Sequence, residues 1–383
     1  MDLILSYHFE MPLVVIYNPV SGDRTAAKVT TDTILPLLAA HNIIPDKVAA
    51  TEHAGHSGTL LLSYIDSLAL STRRAEPITL VLVSGDGTLH EIVNALHSAR
   101  SKQEGPFPIL RIVLIPGGTA NALHATFFPP SSSLTGTTTA EPTLLASLHS
   151  FLSVTTTQRL VPLTFAHTSI SISPPADGEN PDGAAPTASS DVLSLVVTST
   201  ALHAAILHDS EVLRASVPGV ERFKIAARQN DTTWYRARVR LLGPVQRYDV
   251  TAGAFVTVVA TKEEEPLELS GPFAYFLSTV NVDRLEPLLR ITPLQNALPP
   301  PPGTKTMDVV VVRPLRDPSS EGKADEGERK RFKEKLWEVF GGAYQDGVHI
   351  KARYELQDGE TEGLPVVEYF RVRGWEWIPV SQP

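Results

Sequence analysis

Apolar and polar positions follow two different rhythms along this chain. Residues 13–17, 78–83 and 109–115 are short apolar runs rich in β-branched side chains, and each ends in a turn of Gly, Pro or Asn. Helical patterns lie between them. After the second run, Leu89, Ile92, Val93 and Leu96 share one face at helical spacing. Strands alternating with helices predict a doubly wound α/β unit with a parallel sheet, whose ligands bind outside the carboxyl ends of the strands. From about residue 155 the rhythm changes. Residues 192–197, 234–242, 254–260 and 308–312 are strand-like runs broken by turns, which predicts an antiparallel β-sandwich. Trp375 and Trp377 alternate at strand spacing and read as core rather than as a ligand box.

Polar, Pro- and Ser-rich stretches interrupt both rhythms at residues 129–143 and 173–190 and read as loop insertions with little to bury. Residues 298–302 (LPPPP) form a third such patch. The charged run 317–335 begins as an exposed loop and enters a helix with Phe332, Leu336, Val339 and Phe340 on its apolar face.

Composition narrows the function. With 383 residues, 42% of them hydrophobic, the chain can bury a sizeable core in about two domains. Its net charge of -9 argues against a nucleic-acid partner, because phosphate backbones are held by basic surfaces. There is no cysteine, which excludes disulfides and thiolate metal sites. The apolar runs are too short to span a bilayer, and no basic segment precedes an apolar one at the start. The expectation is a cytoplasmic protein, peripheral to membranes at most.

Candidate chemistry collects at strand ends. The first run ends in Asn18-Pro19-Val20-Ser21-Gly22, the second in Ser84-Gly85-Asp86-Gly87-Thr88, with Glu91 one helical turn later. The third ends in Pro116-Gly117-Gly118-Thr119-Ala120-Asn121. Glycines at such turns let backbone amides approach a ligand, and a following helix start favours anions. Together they suggest a nucleotide phosphate site with one carboxylate, Asp86, at its centre. Each piece also has an ordinary reading. Gly-Asp-Gly is a common tight turn, Thr88 with Glu91 fits a helix capping box, and Thr119 with Asn121 fits a cap. Their joint occurrence at successive strand ends favours the functional reading.

These motifs resemble the catalytic domain of diacylglycerol and sphingosine kinases. Thr51-Glu52-His53-Ala54-Gly55-His56 is similar to that family's nucleotide-contacting segment. Asp209-Ser210-Glu211 with Arg214, Arg222 and Phe223 is similar to a stretch of sphingosine kinases. The similarity covers most of residues 13–128 and becomes patchy beyond. It implies two domains, a nucleotide-binding one at 13–150 and a β-rich lipid-binding one at 151–383. ATP would be contacted by Asn18, Pro19, Val20, Gly22, Thr51, Glu52, His53, Ala54, Gly55, Gly118, Thr119, Ala120 and Asn121. Ser84, Gly85, Gly87 and Thr88 would lie where the γ-phosphate meets the lipid hydroxyl. Asp86 would be the general base or a metal-linked carboxylate close to that role. Arg214 and Arg222 would bind phosphate, while Glu91, Asp209 and Glu211 would face the lipid. Mg²⁺ would accompany ATP, with its protein ligands undefined.

The departures bear on substrate. The acidic residue that would hold a sphingoid amine falls on Leu207 without a gap, and a register shift puts Asp209 there. Asp358-Gly359-Glu360 copies the family's C-terminal motif, but the strand-like stretch 368–377 looks like the segment that should precede it, so a coincidental hairpin turn is the favoured reading. The expected activity is phosphorylation of a lipid hydroxyl, with a sphingoid long-chain base as first choice and diacylglycerol or ceramide as alternatives. An NAD kinase and a catalytically silent lipid-binding scaffold are the rivals.

Overall fold

The computed structural model describes residues 11–69, 76–100, 108–130, 143–153, 160–171, 190–217, 219–258, 266–355 and 362–380. Asp358-Gly359-Glu360 lies outside the described residues, as do most of the insertions at 129–143 and 173–190. The chain forms two compact units. The first comprises residues 1–162 with 168–193, and the second 163–167 with 194–383.

In the first unit, β1 (Leu13–Tyr17) leads into α1 (Ala26–Val29), a π turn and α2 (Leu35–Ala40). Then come β2 (Lys47–Ala50), α3 (His56–Ala69), β3 (Ile78–Ser84), α4 (Asp86–Arg100), β4 (Leu110–Pro116), α5 (Ala122–Phe127) and α6 (Ala146–Leu152). The strands form one parallel sheet in the order β2-β1-β3-β4. β3 is buried at every position, as its uninterrupted apolar run requires of a central strand covered on both faces. Leu13, Val15, Val81, Val83, Val113 and Ile115 meet Ile34, Leu38 and Leu148 in a core on one side of the sheet. The register matters most for function. Tyr17 lies beside both Ala50 and Val83, and Ser84 beside Pro116. All four strands therefore end level, and the turns after them open on one edge.

Two connecting strands, β5 (Ala166–Ile170) and β6 (Ser190–Ser194), pair as a two-stranded sheet. The second unit then runs β7 (Val197–Thr200), α7 (Ala201–Leu213), α8 (Glu221–Asn230), β8 (Ala237–Leu242), β9 (Val245–Asp249), β10 (Ala254–Val258), β11 (Leu267–Ser270) and β12 (Tyr275–Thr279). It continues with α9 (Leu294–Ala297), β13 (Met307–Val312), α10 (Glu326–Tyr344), β14 (Glu368–Val372) and β15 (Gly374–Pro379). A six-stranded sheet, β10-β9-β14-β13-β12-β7, packs on a three-stranded sheet, β11-β8-β15, and all their pairings are antiparallel. Val239, Leu241 and Leu269 from the small sheet join Phe276, Val309, Val311 and Phe370 from the large one in a single core. Trp375 and Trp377 both turn toward it, with ring centroids 4.9 Å from Phe276 and 5.0 Å from Phe273.

Three expectations need correction. The run 192–197 is not one strand but breaks at Leu195 and Val196 between β6 and β7, where the chain leaves the first unit. The helical pair α7–α8 was not anticipated in the β-rich half. On α10, Phe332, Leu336 and Val339 are buried as expected, but Phe340 is only half-buried, its ring against Tyr275 and Trp337. No described helix is long and apolar enough to cross a membrane.

Candidate active site

Three glycine turns converge at the carboxyl edge of the parallel sheet, and they pack on one another through bare backbone. A Cβ added at Gly118 would sit 2.5 Å from the Cα of Gly85, and one at Gly22 would sit 2.6 Å from the carbonyl oxygen of Gly117. Gly22 also has φ +49, a conformation that favours glycine. These glycines are therefore needed by the turns themselves. Gly87 differs: it is exposed, and a Cβ there would meet nothing within 4 Å.

Polar side chains lock the turns in register. Asn18 donates from Nδ2 to Thr88 Oγ1 at 3.2 Å and accepts from the Val20 amide at 3.1 Å. The buried Ser84 donates to Thr88 Oγ1 at 2.6 Å and lies 3.5 Å from Ser21 Oγ. Asn121 closes its own turn, accepting from the Gly118 amide and donating to the Gly118 carbonyl, each at 2.9 Å, with Thr119 and Ala120 at the tip. The Thr88–Glu91 capping box is not formed. Helix α4 starts earlier, at Asp86, and the Thr88 hydroxyl is engaged by Asn18 and Ser84. Glu91 instead accepts from Ser57 Oγ on α3 at 3.1 Å.

Asp86 occupies the centre. Its Oδ2 accepts from the Ala122 amide at 2.6 Å and its Oδ1 from the Leu123 amide at 3.4 Å, so the carboxylate serves the start of α5. Burial pushes this half-buried carboxyl up to about 6, outweighing the two amide hydrogen bonds that pull it down. A carboxylate so destabilised accepts a proton near neutral pH more readily than an ordinary aspartate does.

The Thr51–His56 segment follows β2 on the same sheet edge. The Thr51 amide donates to the Tyr17 carbonyl at 2.9 Å, and the Glu52 amide donates to His56 Nδ1 at 3.1 Å. His53 and His56 stack with centroids 4.8 Å apart, next to Ala54 and Gly55. Every candidate from the first half of the chain thus belongs to one sheet edge or the helices that start there. Ser57, completely buried, joins them as a residue the motifs did not single out.

The remaining candidates lie in the second unit, on α7 and α8. Arg214 pairs with Glu211 at 3.0 Å, both largely exposed. Asp209 has no arginine or lysine partner among the described residues: its oxygens meet His208 Nδ1 at 2.9 Å and accept from Asn230 Nδ2 at 2.7 Å. Those hydrogen bonds hold its carboxyl below the usual carboxylate range. Arg222 is buried, donates to the Gly219 carbonyl at 3.0 Å and lies 4.5 Å over the Phe223 ring. His203 is desolvated, which lowers its pKa to about 4, while His208 is exposed.

Residues 12–147 match the family described as the diacylglycerol kinase catalytic domain. The matched segment holds the three glycine turns and residues 51–56, and it indicates an ATP-dependent lipid kinase. Among solved structures, the chain is similar to a candidate diacylglycerol kinase from Bacillus anthracis strain Sterne. The identity is 12%, the TM-score 0.49, and the match covers 97% of this chain and 88% of that one. It is also similar to a structure described as a diacylglycerol kinase from the same organism, at 12% identity and TM-score 0.44, covering 94% of each chain. No curated protein matches the sequence.

Proposed function

We propose that the protein transfers the γ-phosphoryl group of ATP to the hydroxyl of a sphingoid long-chain base, with Asp86 as general base. The observation that carries the catalytic part is the setting of Asp86. It is the one carboxylate in the converged turns, and its raised pKa keeps it ionised above about pH 6 yet basic enough to take a proton. As the lipid oxygen attacks the γ-phosphorus, its proton passes to Asp86, the bond to the bridging oxygen breaks and ADP leaves. Such transfers rest on positioning and charge neutralisation more than on covalent chemistry. The backbone of residues 18–22, 84–88 and 117–121 would hold the phosphates, and residues 51–55 the rest of the nucleotide. Ser84, Thr88 and Asn18 keep these turns in register. Gly87, with open space beside it, is the natural point of close approach.

The family implies Mg²⁺ with the nucleotide. Among the described residues no three acidic or histidine side chains form a metal cage. A site with no such cage fits an ion that would be carried by phosphate oxygens and water, which leaves Asp86 free to take the proton. Of the two arginines, Arg214 is the better phosphate contact, because it is exposed and engaged only by a solvent-screened pair with Glu211. Arg222 is buried.

The substrate reading rests on Asp209. It stays ionised and has no arginine or lysine partner among the described residues, since Arg214 is taken by Glu211. An anion of that kind can attract the ammonium beside the reacting hydroxyl of a sphingoid base. The family's own description favours diacylglycerol as the second reading. Labelled-phosphate transfer to sphingosine, diacylglycerol, ceramide and NAD separates these. Sphingosine should be preferred, and Asp209→Asn should raise its KM far more than that of an uncharged lipid. A clear preference for diacylglycerol would overturn the sphingoid assignment, and transfer to NAD alone would overturn the lipid.

A further inference from the structure

The chain passes between its two units three times, after residues 162, 167 and 193, and the last two crossings fall within the paired strands β5 and β6. At these crossings two asparagine side chains grip backbone as a neighbouring strand would. Asn94, in the middle of α4, donates from Nδ2 to the Leu193 carbonyl at 2.9 Å and accepts at Oδ1 from the Leu193 amide at 2.8 Å. That bond pair lies wholly in the first unit. In the second unit, Asn281 accepts at Oδ1 from the Thr164 amide at 2.8 Å and donates from Nδ2 to the Thr164 carbonyl at 2.7 Å. It also donates to the Leu195 carbonyl at 2.9 Å. Asn281 has φ 62, a left-handed conformation that asparagine tolerates better than most residues.

Five short bonds from two side chains therefore saturate the backbone of Leu193 and Thr164 and hold Leu195 as well. Ser194 alone separates the residue gripped by Asn94 from the one gripped by Asn281. Side chains that satisfy backbone groups are common in folded proteins, but most satisfy one group at a helix or turn end. Here each amide takes both polar groups of one residue close to a crossing, Leu193 in β6 and Thr164 just before β5.

We infer that Asn94 and Asn281 are positioning residues that pin the chain beside its crossings, leaving Ser194 as the pivot, and that they act as one coupled device. Asn94 shares its helix with Asp86 at the first residue, and the candidate substrate residues Asp209 and Arg214 lie beyond the crossing. The kinetic consequence rests on the lipid kinase reading: loss of a clasp should impair transfer to lipid and spare nucleotide binding. The physical consequence does not depend on that reading.

Hydrogen exchange in the full-length protein tests the device directly. Asn94→Ala suits a helix, and Asn281→Gly suits the positive φ. Asn94→Ser, whose shorter side chain cannot span to the Leu193 amide, serves if the alanine variant folds poorly. Each variant must expose its own reporter amide, Leu193 or Thr164. If the clasps are coupled, Asn94→Ala should also speed exchange at Thr164, and Asn281→Gly at Leu193, by about tenfold or more. Amides of β1 and β3 should not change. With lipid substrate, each variant should lose about tenfold in kcat/KM at unchanged ATP affinity. The double variant should be little worse than either single one, because the pivot is freed by the first loss. Exchange that changes only at each variant's own amide, or losses that multiply in the double variant, would overturn the inference. An unmodified protein that phosphorylates no lipid would refute the kinase reading alone, and the exchange result would still decide the clasp.

Discussion

Replacing Asp86 with asparagine should abolish phosphoryl transfer and yet make the nucleotide-free protein more stable at alkaline pH. The carboxyl's pKa rises from the ordinary 3.8 to about 6 on folding. A group raised in this way favours the folded state while protonated. Its contribution is fully present below about pH 3.8 and is lost as the pH climbs through about 6. The rise of about two pH units corresponds to about 3 kcal/mol at most, and roughly 1.5–3 kcal/mol once water at the half-buried turn is allowed for. Asparagine escapes this penalty. Its Oδ1 can still accept from the Ala122 amide, while its amide group faces the Leu123 N–H in place of the long 3.4 Å bond, a loss of about 0.5–1 kcal/mol. The variant should therefore be about 1 kcal/mol or more above the unmodified protein at pH 8 and no more than about 0.5 kcal/mol below it at pH 4, where part of the penalty already applies. Thermal melts across that range should show the difference in Tm swing by roughly 5 °C. Turnover should fall at least ~100-fold, because an amide cannot accept the proton. A Tm difference that stays flat from pH 4 to 8 would refute the argument that Asp86 is held ionised against its burial. So would a variant markedly less stable at pH 8.

The same raised pKa predicts that kcat/KM for the lipid declines below about pH 6 as Asp86 becomes protonated, which a pH–rate profile at saturating ATP would reveal. The two kinds of glycine should separate in mutagenesis. Gly87→Val, with open space around it, should leave the melting curve nearly unchanged while weakening ATP affinity in calorimetry, whereas unchanged affinity would move the phosphates elsewhere. Gly118→Ala, driven against the Gly85 backbone, should lower stability by about 1–3 kcal/mol and weaken ATP binding with it.

Much of the first unit was legible in the sequence because its signals are local. A run such as Ile-Thr-Leu-Val-Leu-Val is long enough, apolar enough and β-branched enough to be a buried strand wherever it sits, and the glycine turns mark its end. Motif order along the chain likewise pointed to Asp86 and the three turns before any contact was visible. β2, with only four residues and no long apolar run, carried too weak a signal to be read this way, and α7 and α8 lay in a half whose surrounding strands set the expectation.

Tertiary structure decided what depends on register and on partners distant in sequence. Local pattern could not show that Gly118 and Gly22 are fixed by neighbouring turns rather than by a ligand, since their constraints are backbone atoms many residues away. Nor could it show that Thr88 serves Asn18 and Ser84 instead of a capping box, or that Glu91 turns to Ser57. Nor could it show that Arg214 pairs with Glu211 while Asp209 is engaged by Asn230 and His208. Residue types and their order determined the class of chemistry, because strand ends and glycine turns are local events. The state of each polar group was decided by folding, because burial and hydrogen-bond partners exist only once the sheet edge has brought the turns together.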